Sequence, residues 1–274
     1  HESLHNVGVN ITSKAETSFY KNLRSGSVNH YQELLNYVNS VDSATESYNQ
    51  VIENAFNNGR NDISYPDSYL GNQLQTLGKL LSGGLQSKLL LTDMNGFDTH
   101  TNQVSGSGSG TLTGRHADLL KQFSEAVYAF QKDLEAQGLA DDVVIVTMSE
   151  FGRKIKENGS QGTDHGDLSN WLVIGNAVNG GVSGRNIDLT PAMVNSSGRT
   201  EDIMQHDYRR MLSSIMQDWL GSSDTVLNGI ETDDNTETNN ETKIVDYQFL
   251  IVEILRFYSL YFYHRATEDT GFSK

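Results

Sequence analysis

Three short polar runs carry the residue types that could do chemistry: Gly96-Phe97-Asp98-Thr99-His100, Ser149-Glu150-Phe151-Gly152-Arg153 and Gly162-Thr163-Asp164-His165-Gly166. Carboxylates and imidazoles together are the ligands of a hydrolytic metal centre, where an ion lowers the pKa of bound water and neutralises charge on a phosphoryl or sulfuryl oxygen. Asp98 and His100 lie two residues apart, so an extended segment would turn both side chains one way and suit joint ligation of one cation. The same Asp-Thr-His also fits a turn closed by the aspartate. Asp164 and His165 are adjacent between glycines, where the backbone can bend to aim one or both inward. Glu150 adds a third carboxylate. The expected metal ligands are therefore Asp98, His100, Glu150, Asp164 and His165, and the expected cofactor is a divalent metal: zinc, manganese, magnesium or calcium. Arg153 is the candidate catalytic residue, since a guanidinium can grip an oxyanion through two hydrogen bonds. It can equally pair with Glu150 across the first turn of a helix, to little effect. The remaining histidines, His116 and His206 among them, read as surface or capping residues.

The elements that must position these residues are legible in the apolar pattern. Val143-Val144-Ile145-Val146-Thr147-Met148 reads as a buried strand, which places Glu150 at its carboxyl end, the edge where open α/β sheets bind ligands. Lys88 to Met94 reads as another buried strand, and Trp171 to Gly175 as a third. Between the first two, His116 to Gln137 carries Leu119, Leu120, Phe123, Val127, Phe130 and Leu134 at helical spacing and is closed by Gly138. Leu70, Leu74, Leu77, Leu80 and Leu81 form a helical stripe that ends at Gly83-Gly84. Residues 28 to 56 suggest one or two surface helices, and Asp207 to Leu220 a last helix. Strand, helix, strand with short connections is the pattern of a parallel sheet with right-handed crossovers, so the fold class is α/β. Ser105 to Gly110 alternates serine and glycine as a flexible loop; no Lys-Ser/Thr follows to make it a phosphate loop.

Composition narrows the function classes. The 274 residues can bury a full core, and a formal net charge of -15 argues against nucleic acid or an anionic membrane surface as partner. It fits salty surroundings or a protein that holds divalent cations. No cysteine is present, so thiolate sites and disulfides are excluded. Residues 1–221 are expected to form the α/β domain, 222–242 an acidic polar linker and 243–274 an aromatic-rich tail. Asp246, Glu253 and Arg256 interrupt that tail, so no transmembrane span is expected; its aromatic part, 244–264, is a candidate for docking on the domain or on a partner chain. The chain opens at His1 without a signal pattern, as a processed or truncated end would.

Taken together, the three runs, Asn158, the stretch Gly175-Asn176-Ala177-Val178-Asn179-Gly180-Gly181, and Asp207-Tyr208-Arg209 leading to Trp219-Leu220-Gly221 carry a resemblance. Over residues 65–221 the chain resembles an uncharacterised family of exported bacterial proteins, a domain-of-unknown-function family placed in the alkaline phosphatase and sulfatase superfamily. The resemblance implies an alkaline-phosphatase-like, mostly parallel sheet flanked by helices, a periplasmic or extracellular location, and hydrolysis of phosphate or sulfate esters at one or two metals. It assigns Asp98 and His100 to one metal position and makes His165 the late histidine before the last core strand. This chain departs from the superfamily at Glu150-Phe151-Gly152, where active members carry Asp-His-Gly, so one metal position is altered. The superfamily's nucleophile and first metal-binding aspartate come from an amino-terminal strand that has no counterpart before Lys88, so the fold is expected to be incomplete at that end.

Two functions are left in competition. One is a metal-dependent hydrolase acting on a small-molecule or polysaccharide ester, which requires Asp98, His100, Glu150, Asp164 and His165 to converge in one pocket. The other is a non-catalytic surface or assembly protein on the same fold, with an acidic cation-binding site and the aromatic tail holding a partner.

Overall fold

The structure, a computed structural model, describes residues 32–106, 110–184, 205–222, 253–254 and 259–263. Helix α1 is Gln32–Asn58 and α2 is Tyr69–Ser82, started by the Ser68 hydroxyl, which accepts from Gly71 N–H. Strand β1, Leu90–Thr92, leads into the first polar run. Helix α3, Arg115–Gln137, stops at Gly138 in the left-handed conformation, and β2 is Val143–Met148. The hairpin β3 (Gly152–Glu157) and β4 (Thr163–Gly166) follows, then β5 (Val173–Ile174). Helix α4 is Tyr208–Ser214 and runs into a π turn, Ile215–Trp219; β6 (Glu253–Ile254) and β7 (Ser259–Tyr263) are the last elements.

Strand β2 is the centre of the molecule, and its alternation shows why. Val143 and Ile145 face a core built from α1, α2 and α3, in which Leu70, Leu74, Leu77, Leu80 and Leu81 meet Phe123, Val127, Phe130 and Leu134. Val144 and Val146 face the other way, against Ile215 and Trp219 of the π turn. A strand covered on both faces reads as a continuous apolar run, as this one does. Each buried Leu or Val contributes roughly 1.5–3 kcal/mol, so the two layers fix β2 firmly.

The chain is mixed helix and strand, but the sheet is not the mostly parallel one expected from the sequence. Its order is β1-β7-β2-β5, with β6 also on β2. Among the described residues, β7 pairs antiparallel with both β1 and β2, β5 pairs antiparallel with β2, and β6 pairs parallel with it. The physical reason is the insertion of β7. Because it opposes both neighbours, β1 and β2 run in the same direction, joined through α3 as anticipated; β7 fills the slot between them.

The strand expected to be buried from Lys88 to Met94 is half-buried: Leu89 and Leu91 are exposed, while Leu90, Thr92 and Met94 face the core. The expected third strand shortens to two residues. The helix expected to Leu220 loosens into the π turn, which swings Ile215 and Trp219 onto β2. Among the described residues no helix is long and apolar enough to cross a membrane. The expected linker 222–242 lies outside the described residues beyond Ser222, as does the aromatic tail apart from β6 and β7.

Candidate metal centre

The first polar run leaves β1 as a loop. Thr99 N–H donates to Phe97 O and His100 N–H to Asp98 O, so Asp-Thr-His is a tight turn rather than an extended segment. The turn nevertheless brings the two side chains together: His100 Nδ1 lies 2.9 Å from Asp98 Oδ1. Its backbone is pressed against Gly162, where a Cβ would stand 2.3 Å from the His100 carbonyl. Glycine is needed there for the two runs to touch.

The hairpin register decides which of Asp164 and His165 faces this turn. Arg153 is opposite His165, so the two share a face, and Thr163, two residues before His165, shares it as well. His165 Nε2 comes within 3.1 Å of the same Asp98 oxygen. Arg153 also donates to that oxygen from one guanidinium nitrogen, while its Nε donates to Thr163 Oγ1 at 3.1 Å. Asp164 falls on the other face with Lys154, whose Nζ is 3.8 Å from its Oδ2, and its Oδ1 accepts from Asn158 Nδ2. Glu150 is exposed in the turn after β2, where Ser149 Oγ donates to Phe151 O. Of the five expected ligands, Asp98, His100 and His165 converge; Asp164 and Glu150 stand outside the cluster.

The ligand atoms of these three all lie within 4.8 Å of one another, and the group could hold a metal ion. Ligands about 2.1 Å from a tetrahedral zinc stand about 3.4 Å apart, so the widest separation must close by about an ångström or more. Side chains that are 39 % (Asp98), 44 % (His100) and 50 % (His165) exposed have the freedom to do so. One oxygen and two imidazole nitrogens suit zinc or manganese, and three protein ligands leave a position open to solvent.

Burial alone would raise the Asp98 pKa. The Arg153 hydrogen bond and the charges of His100, Arg153 and His165 outweigh it and hold the carboxyl below the usual aspartate value. The group stays anionic, as a ligand must. Phe151 stacks on His165 with ring centroids 3.7 Å apart and fixes that ring's plane.

Three contributors were not legible in the sequence. Gln103 Oε1 accepts from the Thr99 and Thr163 hydroxyls, each at 2.8 Å, and so ties the first and third runs together beneath the cluster. Thr163 was visible within its motif, but not as a partner of Arg153. His116, read as a surface residue, packs edge-on against Phe97 with centroids 6.0 Å apart; burial and then the Arg153 charge lower its pKa.

The family described as Protein of unknown function (DUF1501) matches residues 27–217, a span that contains the whole cluster. The chain belongs to that family. No curated protein and no solved structure matches it.

Proposed function

We propose that the protein is a metal-dependent hydrolase of phosphate or sulfate esters, acting in the periplasm or outside the cell on a small-molecule or polysaccharide ester. The reading includes an alkaline-phosphatase-like ancestry, for which the parallel β1-α3-β2 unit is the structural support. One observation carries it: two imidazole nitrogens meet one oxygen of an anionic aspartate, at 2.9 and 3.1 Å, on an open face.

A divalent ion held there would activate water and offset charge developing on the ester oxygens. The residues themselves have separate tasks. Asp98 would supply the negative charge, His100 and His165 would each offer a ring nitrogen, and the Phe151 ring keeps His165 in plane. Arg153 holds the Asp98 carboxylate from the hairpin side, which orients it and leaves little of the guanidinium for a substrate. Elemental analysis after dialysis against zinc or manganese tests the reading. About one equivalent of metal is expected in the wild type, lost in Asp98→Ala and in His165→Ala and retained in Glu150→Gln and Asp164→Asn. Hydrolysis of p-nitrophenyl phosphate or sulfate should follow the metal. A wild type that takes up none ends the proposal.

The Arg153 contact favours a second reading, the non-catalytic one. A guanidinium already neutralises Asp98 where a metal would, and the cluster could serve only to lock the hairpin to the first polar run. In that case Arg153→Gln, and not the wild type, would be the form that takes up metal.

A further inference from the structure

An anionic ester needs a cationic group facing solvent beside the metal cluster, and Arg153 is occupied by Asp98 and Thr163. Arg115, the first residue of α3, is exposed and stands in no ion pair among the described residues. Its guanidinium lies against the first polar run: a Cβ on Gly96, two residues before Asp98, would be 3.5 Å from an Arg115 terminal nitrogen.

Arg115 also lines an open cleft of about 530 Å³, within the range of small-molecule sites. The cleft is walled by the loops that carry the cluster. Asn102 follows His100 by two residues, and Gln161 immediately precedes Gly162. Gln103 N–H donates to Gln161 O at 2.8 Å and Asn102 N–H to Ser160 O at 3.3 Å, which joins the two walls. Both lining residues are held in the left-handed region, with φ of 53° at Asn102 and 58° at Gln161, the non-glycine residues with positive φ among those described. Asparagine adopts this region readily, whereas at Gln161 the conformation is less common and is held by the surrounding loop.

The lining identifies a ligand class. Asn102, Gln122 and Gln161 each offer an amide that both donates and accepts, which matches hydroxyl groups. Asp118 faces the same space and, with a net charge of -15, disfavours a polyanion. One arginine with several amides fits one charged group on a hydroxyl-rich body.

We propose that this cleft is the substrate subsite, with Arg115 contacting the oxyanion of a phosphate or sulfate monoester and the amide wall receiving a sugar-like leaving group. The assignment rests on the hydrolase reading above. Isothermal titration of the full chain, stripped of metal, with inorganic phosphate, inorganic sulfate and a hexose phosphate tests it; comparing the first two tells which oxyanion is preferred. Arg115→Gln should weaken binding of all three by about tenfold or more, the value of a charge-assisted hydrogen bond, without altering metal stoichiometry. Gln122→Ala should weaken only the hexose phosphate. Unchanged binding in Arg115→Gln, or no anion binding by the wild type, overturns the assignment and leaves the metal centre standing. Equal effects of Gln122→Ala on all ligands overturn its sugar-binding part. Arg115-dependent binding in a protein that takes up no metal would instead sink the hydrolase reading and keep the cleft.

Discussion

His116 shows how the environment of the cluster reaches a side chain outside it. Burial and the Arg153 charge hold its pKa below the ordinary histidine value, so the folded chain binds fewer protons at this site than the unfolded chain. The resulting stability is fully present above about pH 6.5, the unperturbed value, and is lost as pH falls through the lower folded value. Urea unfolding at pH 5 and pH 7.5 should show a gain towards neutrality, and His116→Phe should flatten it; an unchanged slope would remove His116 as its cause. The residue types of the cluster were legible from the start, because Asp, His and Gly in short runs announce ligation. Which partner each finds was not. His165 turns in and Asp164 out by the register of a hairpin whose strands are joined by a turn, and a one-residue slip would exchange them. The Gln103 bridge between Thr99 and Thr163 spans 60 residues from Gln103 to Thr163 and leaves no local signal.

Among elements, the helices were the legible part. The leucines from Leu70 to Leu81 recur at the spacing of one helix face, and all five are buried in α2. Leu74 is fully buried, and Leu74→Ala should cost about 2–5 kcal/mol in chemical unfolding. The strand pairings were hidden, because an alternation of period two says which side faces the core and nothing about the neighbouring strand. A second element-level tie is the loop before α2, which is fastened to α3 by one carboxylate. Asp133, wholly buried, accepts from Asn61 Nδ2, Asp62 N–H, Ile63 N–H and the Tyr65 hydroxyl. Burial, then the hydrogen bond and charge of Asp133, drive the Tyr65 phenol pKa upward, so it stays a donor. Asp133→Ala strands four donors and should destabilise by roughly 3–5 kcal/mol. A loss below about 1 kcal/mol would show that water replaces the carboxylate at little cost.

The molecule as a whole is governed by its charge. A net -15 on 274 residues repels itself in the compact state, and salt shortens the reach of that repulsion from about 30 Å at 0.01 M to about 3 Å at 1 M. The melting temperature should therefore rise with sodium chloride over that range, and a flat or falling curve would mean that paired charges outweigh net repulsion. The insertion of β7 carries a consequence for biosynthesis. β7 lies about 110 residues beyond the end of β2, so during vectorial synthesis β1, α3 and β2 emerge and collapse while the slot between the two strands is still open. Two backbone edges wait, unpaired, for a segment the ribosome has yet to make. Such a pairing is slow because of its sequence separation, and until it forms the nascent chain exposes a ready template for a neighbouring polypeptide.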